Sequence, residues 1–254
     1  MDKSEYEKNY RNETSYWWFL GRRKIIHETV RSFMSGRNSL KYLDAGCGTG
    51  IIMKDLSEFG EGYGADVSPQ AIEFCKERGL KNLVEADISK LPFEDGTFDF
   101  ITVLDVLYIK WIKDERQVLS ELNRVLKKGG MLFSFEPAFM VLMSKHSARV
   151  STARRYNRKQ IGDMMRAAGF KLVKSSYWNM FLFPLFLGAA LLEKLLPAKN
   201  AGFSDMEKSL PPFLNYLFAG ILYLESFLID KAGLPFGTSV LTVCVKEKDK
   251  GGAL

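Results

Sequence analysis

Five acidic residues, Asp44, Asp66, Asp87, Asp105 and Glu136, each follow a short apolar run in this chain. A carboxylate at the carboxyl end of a parallel strand stands where open α/β sheets gather their ligands, and it can accept hydrogen bonds from ribose hydroxyls or face a cationic group. One acid so placed is explained as a helix cap; five in succession point to a ligand-binding edge. Asp44 leads into Ala45-Gly46-Cys47-Gly48-Thr49-Gly50, where three alternate glycines let a ligand approach the backbone with no Cβ between them. Asp66 follows Gly46 by 20 residues, the separation at which an acid ending a second strand meets a ribose.

Candidates for proton transfer are fewer. His146 is one of 2 histidines and follows the fifth expected strand, while Tyr108, Asp105 and Glu136 fall at strand ends. A solitary histidine in a basic loop serves equally well as a solvated side chain. Lys145, Arg149, Arg154 and Arg155 share that region, and Arg154 or Arg155 would suit a phosphate-bearing ligand or a surface carboxylate.

These residues need a doubly wound frame. Tyr42-Leu43, Gly62–Asp66, Leu83–Ala86, Phe98–Leu104 and Met131–Phe135 read as strands alternating with helices, which predicts a Rossmann-like, mostly parallel sheet. Asn157 is placed to cap a helix ending at Gly169, Phe170–Val173 reads as a sixth strand, and Val240–Val245 as a last strand returning antiparallel. Residues 1–15 read as a loop or frayed helix, and residues 1–36 as a helical lid. Its Tyr16-Trp17-Trp18-Phe19 run either packs on the core or covers the site. Residues 179–236 read as an apolar helical insertion with a linker at 197–212, and 246–254 as a disordered tail. Neither apolar run of the insertion reaches the roughly 18–20 uninterrupted residues of a membrane span.

With 254 residues, 46% of them apolar and 26% charged, the chain suits one large α/β domain rather than a disordered protein. Cys47, Cys75 and Cys244 are far apart and in no metal-like spacing; buried free thiols and a cytoplasmic setting, with the membrane surface as the alternative, are expected. A net charge of +6 permits an anionic partner, yet the basic residues form no identifiable nucleic-acid module, so no nucleic acid is expected. The glycines do not form G-x-G-x-x-G and no Tyr-x-x-x-Lys occurs, which argues against a nicotinamide dehydrogenase.

Leu43–Gly50, Gly64–Ser68, Ala86-Asp87-Ile88, Leu91-Pro92-Phe93, Phe98–Ile101 and Arg124–Gly130 together resemble the class I S-adenosylmethionine-dependent methyltransferases, in the branch called methyltransferase type 11. The resemblance implies S-adenosyl-L-methionine as cofactor and no metal. It implies that Asp44, Ala45, Gly46, Cys47, Gly48 and Gly50 hold the amino acid portion of the cofactor. Asp66 and Val67 would meet the ribose, Asp87 and Ile88 the adenine, and Leu104 and Asp105 the neighbourhood of the sulfonium. Many relatives carry Glu-His where Tyr108-Ile109 stands here, so an obvious base is missing.

Methyl transfer to a small, apolar or lipid-linked acceptor is therefore the expected function, with the apolar insertion as its cover. A phosphate-bearing acceptor, a glycan or nucleic-acid acceptor, and a non-catalytic S-adenosylmethionine-binding regulator are the alternatives. A peripheral membrane contact and a homodimer are further expectations for the insertion.

Overall fold

The strand order β3-β2-β1-β4-β5-β7-β6 places β1 (Leu40–Ala45) and β4 (Phe98–Leu104) side by side in a seven-stranded sheet. The structure is a computed structural model and describes residues 3–143, 147, 151–195 and 210–247. Strands β1, β2 (Gly60–Asp66), β3 (Leu83–Glu85), β4 and β5 (Leu126–Pro137) run parallel. Strand β7 (Ser239–Lys246) runs antiparallel to both β5 and β6 (Phe170–Trp178), as the sequence leads one to expect. Chain direction diverges between β1 and β4, which opens a crevice at their carboxyl ends.

Both faces of the sheet are covered, so β4 is nearly all apolar and buried. One face packs Tyr42 on Phe100 at 4.9 Å between centroids and carries Phe133, Trp178 and the helix α2 (Trp17–Met34). The other face buries Phe98 and Ile101 under α5 (Glu115–Val125) and α6 (Arg158–Ala167). Asn157 caps α6 with a full capping box, its side chain accepting from the Gln160 amide while Gln160 accepts from the Asn157 amide. Strand β6 runs five residues beyond its expected end at Val173, because a register shift between Leu172 and Lys174 re-seats it on β7 and carries Trp178 into the core.

The N-terminal segment is ordered where a loop or frayed helix is expected. Helix α1 (Lys3–Asn12) is too polar and too short to stand alone. It is docked by Tyr10, stacked 4.7 Å from Phe74 of α4 (Pro69–Glu77) and lying 4.3 Å from the Arg78 guanidinium. Glu13, just beyond α1, is buried against Arg78 and the Thr49 hydroxyl. Helix α2 then begins with a long-range cap: the Trp17 amide donates to the Asn215 side chain at 2.8 Å.

The insertion forms α7 (Phe183–Leu195) and α8 (Pro212–Lys231). Helix α8 crosses α2 closely at Gly21, where an added Cβ would come within 2.6 Å of the Leu222 Cβ. Contrary to expectation, one stretch of α8, Pro212–Ile229, is long and apolar enough by length and composition to cross a membrane, and 28% of it is buried within the protein. Most of the expected linker, residues 197–209, lies outside the described residues. So do residues 248–254 of the expected tail, whereas Lys246 ends β7.

Candidate active site

The turn between β1 and α3 (Ile51–Asp55) is held open by its glycines. Gly46, Gly48 and Gly50 all adopt positive φ, at 79°, 54° and 79°. Their roles differ. A Cβ on Gly46 would strike the Val106 side chain, and one on Gly50 would lie 2.5 Å from Leu80 Cδ1 and 2.8 Å from the Cys75 sulfur. Those two glycines serve packing. A Cβ on Gly48 would meet nothing within 4 Å, because it would project into an open cavity.

That cavity, about 510 Å³, runs along the carboxyl ends of the parallel strands. Asp44, Gly46, Cys47, Gly48, Asp66, Val67, Asp87, Ile88, Leu104 and Asp105 line it. Ala45 and Gly50 do not: Ala45 is fully buried within β1, and Gly50 backs onto α4. At this end the cavity is walled by the backbone of the glycine turn, by Cys47 and Thr49 within it, and by carboxylates.

Each carboxylate is set by its neighbours. Asp44 is buried and accepts from the Thr102 hydroxyl at 2.7 Å; burial pushes its carboxyl up to about 6 despite that bond and the charge of Arg22. Asp66 accepts from the amides of Gly48 at 3.0 Å and Ser68 at 2.9 Å, with the Tyr6 hydroxyl donating at 3.4 Å. Burial raises Asp66 too, opposed by those amides. Asp87 is exposed and turns back to accept from the Ser89 amide at 2.8 Å. Asp105 takes a left-handed φ of 59° and pairs with Arg22 of α2 at 2.8 Å.

The remaining candidates separate clearly. Glu136 is fully buried, lies outside the cavity wall and accepts from the amides of Val106 at 3.3 Å and Leu107 at 3.0 Å; it positions the loop after β4. The Tyr108 side chain lines the cavity, and burial with the charges of Asp105 and Glu136 pushes its hydroxyl well above the usual range, so it stays protonated. His146 lies outside the described residues. Arg154 is committed to Glu115 at 2.8 Å and to the Ile112 carbonyl at 3.0 Å. Arg155 instead lines the cavity, bound to the Ala138 carbonyl and the Ser147 hydroxyl, with its Nε buried and lacking a partner among the described residues.

The far end of the cavity is apolar. Trp17 lies 6.0 Å from Phe186 of α7 and 5.4 Å from Phe218 of α8, and all three line the cavity with Tyr16, Trp18 and Phe19. The aromatic run of α2 thus packs on the core and roofs the cavity at once. Sequence reasoning did not single out Tyr6, Glu13 or Arg78, which tie the N-terminal segment to the glycine turn. Polar side chains 36 to 65 residues apart leave no local signal of their pairing.

Comparison with known proteins agrees with this geometry. Residues 43–134 match the family model described as a methyltransferase domain. Demethylmenaquinone methyltransferase of Staphylococcus aureus (strain MRSA252) is 36% identical over 121 residues, covering 44% of this chain and 49% of that protein. The chain spans about half the length of the curated relatives it matches. A chain from the complex of the Haloferax volcanii Trm112 methyltransferase activator with a methyltransferase is similar in fold at 15% identity. Its TM-score is 0.61, covering 96% of this chain and 98% of that one. Haemonchus contortus phosphoethanolamine N-methyltransferase 2, solved with S-adenosyl-L-methionine, is 20% identical with a TM-score of 0.54, covering 88% of this chain and 52% of that one.

The fold is that of the class I methyltransferases. More particularly, residues 43–134 match a methyltransferase domain, and the chain shares its fold with structures of S-adenosylmethionine-dependent methyltransferases.

Proposed function

We propose that this protein transfers a methyl group from S-adenosyl-L-methionine to a small apolar or lipid-linked acceptor. The observation that carries the reading is one continuous cavity with two unlike ends: glycine backbone and carboxylates at one, Trp17, Phe186 and Phe218 at the other. The relative named for demethylmenaquinone, matched over 49% of its length, supports an acceptor of quinone type.

The cofactor residues fit their part. Gly48 leaves a cradle that any Cβ would fill, and the buried Asp66 carboxylate has its own amides as anchors. Asp44 with the glycine turn holds the amino acid portion, Asp66 and Val67 the ribose, and Asp87 with Ile88 the adenine. When bound, S-adenosylmethionine supplies a methyl group on a sulfonium that departs as a neutral thioether.

The protein's own contribution is alignment and exclusion of water. Leu104 and Asp105 end β4 beside the reacting region, and Arg22 holds Asp105 in place. Tyr108, kept protonated, donates a hydrogen bond to a polar group of the acceptor and does not act as a base. Arg155 offers its Nε, unpartnered among the described residues, to an oxygen of the acceptor, anionic or carbonyl. The aromatic roof receives the apolar part, each buried methylene contributing about 0.8 kcal/mol. The three buried free thiols suit a reducing compartment.

The test is transfer of label from methyl-labelled cofactor to organic and aqueous cell-extract fractions, followed by mass spectrometry of the product. Label in an organic-soluble small molecule is expected. Saturable cofactor binding without any label transfer would overturn the enzymatic reading in favour of a non-catalytic binding protein.

A further inference from the structure

The side of α8 that faces away from α2 is a stripe of exposed apolar residues. Phe213, Tyr216, Leu217, Tyr223, Leu224 and Phe227, with the exposed Gly220 between the two pairs, fall on one side of the helix and are between 42% and 72% exposed. The opposite side of the same helix is built into the protein: Ala219, Leu222 and Ile229 are buried with Glu225 and Ser226. Glu225 accepts from the amides of Met180 at 3.0 Å and Phe181 at 2.7 Å, and Asn215 caps α2. A helix fixed on one side by such polar contacts cannot be surrounded by lipid, so α8 does not cross a bilayer despite its length. With one side held by the protein and the other apolar and exposed, the helix suits lying in the plane of a membrane surface.

Helix α7 also carries an exposed apolar side. Leu191, Leu192 and Leu195 are exposed on it, while Leu185, Phe186, Ala189 and Ala190 line the cavity. One helix therefore borders both the cavity and the open apolar surface. Lys194, whose Nζ also donates to the Val141 carbonyl at 2.7 Å, and Lys231 stand at the carboxyl ends of the two helices, and both are exposed. Lys231 lies 4.5 Å from the centroid of the Phe227 ring, an aromatic-and-lysine pairing suited to the boundary between acyl chains and anionic headgroups. An anionic lipid surface complements the exposed lysine at the end of each helix.

We propose that the outer faces of α7 and α8 dock on an anionic lipid surface, from which an apolar acceptor enters the cavity past α7. The acceptor's route rests on the methyltransferase reading above; the docking itself does not.

Flotation of the full chain with vesicles of mixed phosphatidylcholine and phosphatidylglycerol tests the docking. The protein is expected to float with these vesicles, and more weakly with phosphatidylcholine alone or in high salt. The combined change Leu217→Ser, Leu224→Ser and Phe227→Ser, all at exposed positions, should abolish flotation. Lys194→Gln with Lys231→Gln should weaken binding roughly thirtyfold at low salt, two lysines each contributing about 1 kcal/mol. The docking is overturned if the intact protein fails to float, or if both sets of changes leave flotation undiminished. It is equally overturned if the serine changes instead split a dimer in size-exclusion chromatography without altering flotation. Calorimetric titration with S-adenosylmethionine on the same preparations separates the two readings. Flotation without cofactor binding would sink the methyltransferase and leave the docking, and the converse would do the opposite.

Discussion

Arg22 of α2 reaches Asp105 at the end of β4 with its Nε 2.8 Å from a carboxylate oxygen. The contact joins the N-terminal cover to the sheet beside the cavity. The same guanidinium stands 5.6 Å from the centroid of the Trp18 ring and donates to the Leu104 carbonyl at 3.4 Å. Arg22→Met should keep the packing of the stem but leave Asp105 without its cation. A loss of roughly 1–3 kcal/mol in stability is expected, the scale of a stranded, partly buried polar group. Urea denaturation measures it, and a loss below 0.5 kcal/mol, the ordinary range for a surface substitution, would show the pair to be incidental.

Asp66 is held by two backbone amides, so removing its carboxylate frees them without emptying the core. Asp66→Ala should weaken S-adenosylmethionine binding by about 1–3 kcal/mol, as for losing a hydrogen bond to a charged group. Isothermal titration reads this directly. Unchanged affinity would remove Asp66 from the ribose site.

Asp44 predicts a pH dependence. Burial raises its carboxyl from the unfolded value of 3.8 to about 6, so folding favours the protonated form. Its contribution to the stability of the free protein is therefore fully present below about 3.8 and is lost as pH rises through about 6. Cofactor binding has the opposite sign, because a cationic amino group requires the carboxylate. Affinity should be constant above pH 6 and fall about tenfold per unit below it. Asp44→Asn should give weaker binding with that slope removed; an unaltered slope would assign the titration elsewhere.

Phe186 lines the apolar end of the cavity, while Phe181, two residues before α7, is 48% exposed and does not line it. Phe186→Ser should raise the acceptor's KM with cofactor affinity unchanged, and Phe181→Ser should change neither. Equal effects of the two substitutions would locate the acceptor outside the cavity. Steady-state kinetics on the acceptor identified by labelling supply the measurement.

Much of the sheet can be read from local pattern. The glycine turn, the apolar run of β4 and the Asn157 cap each carry their signal within a few residues. The five acids at strand ends were legible for the same reason, yet their division was not. Asp44, Asp66, Asp87 and Asp105 meet the cavity, while Glu136 turns away to two loop amides. That outcome depends on the loop Val106–Leu107, which shows no periodicity. The insertion was legible as apolar and helical but not in phase. With apolar residues around most of α7 and α8, no pattern marks which side meets α2. The close approach of Gly21 and Leu222 sets that choice, and it joins residues 201 positions apart.

Strand β7 stands between β5 and β6 although it comes last of the three in the chain. During synthesis β6 therefore has no neighbour to pair with until β7 has left the ribosome. The intervening residues 179–238 take roughly 3–12 s to be made at about 5–20 residues per second. Through that interval β6 stays unpaired while α7 and then α8 are made behind it. The sheet therefore closes only after both apolar helices have been synthesised.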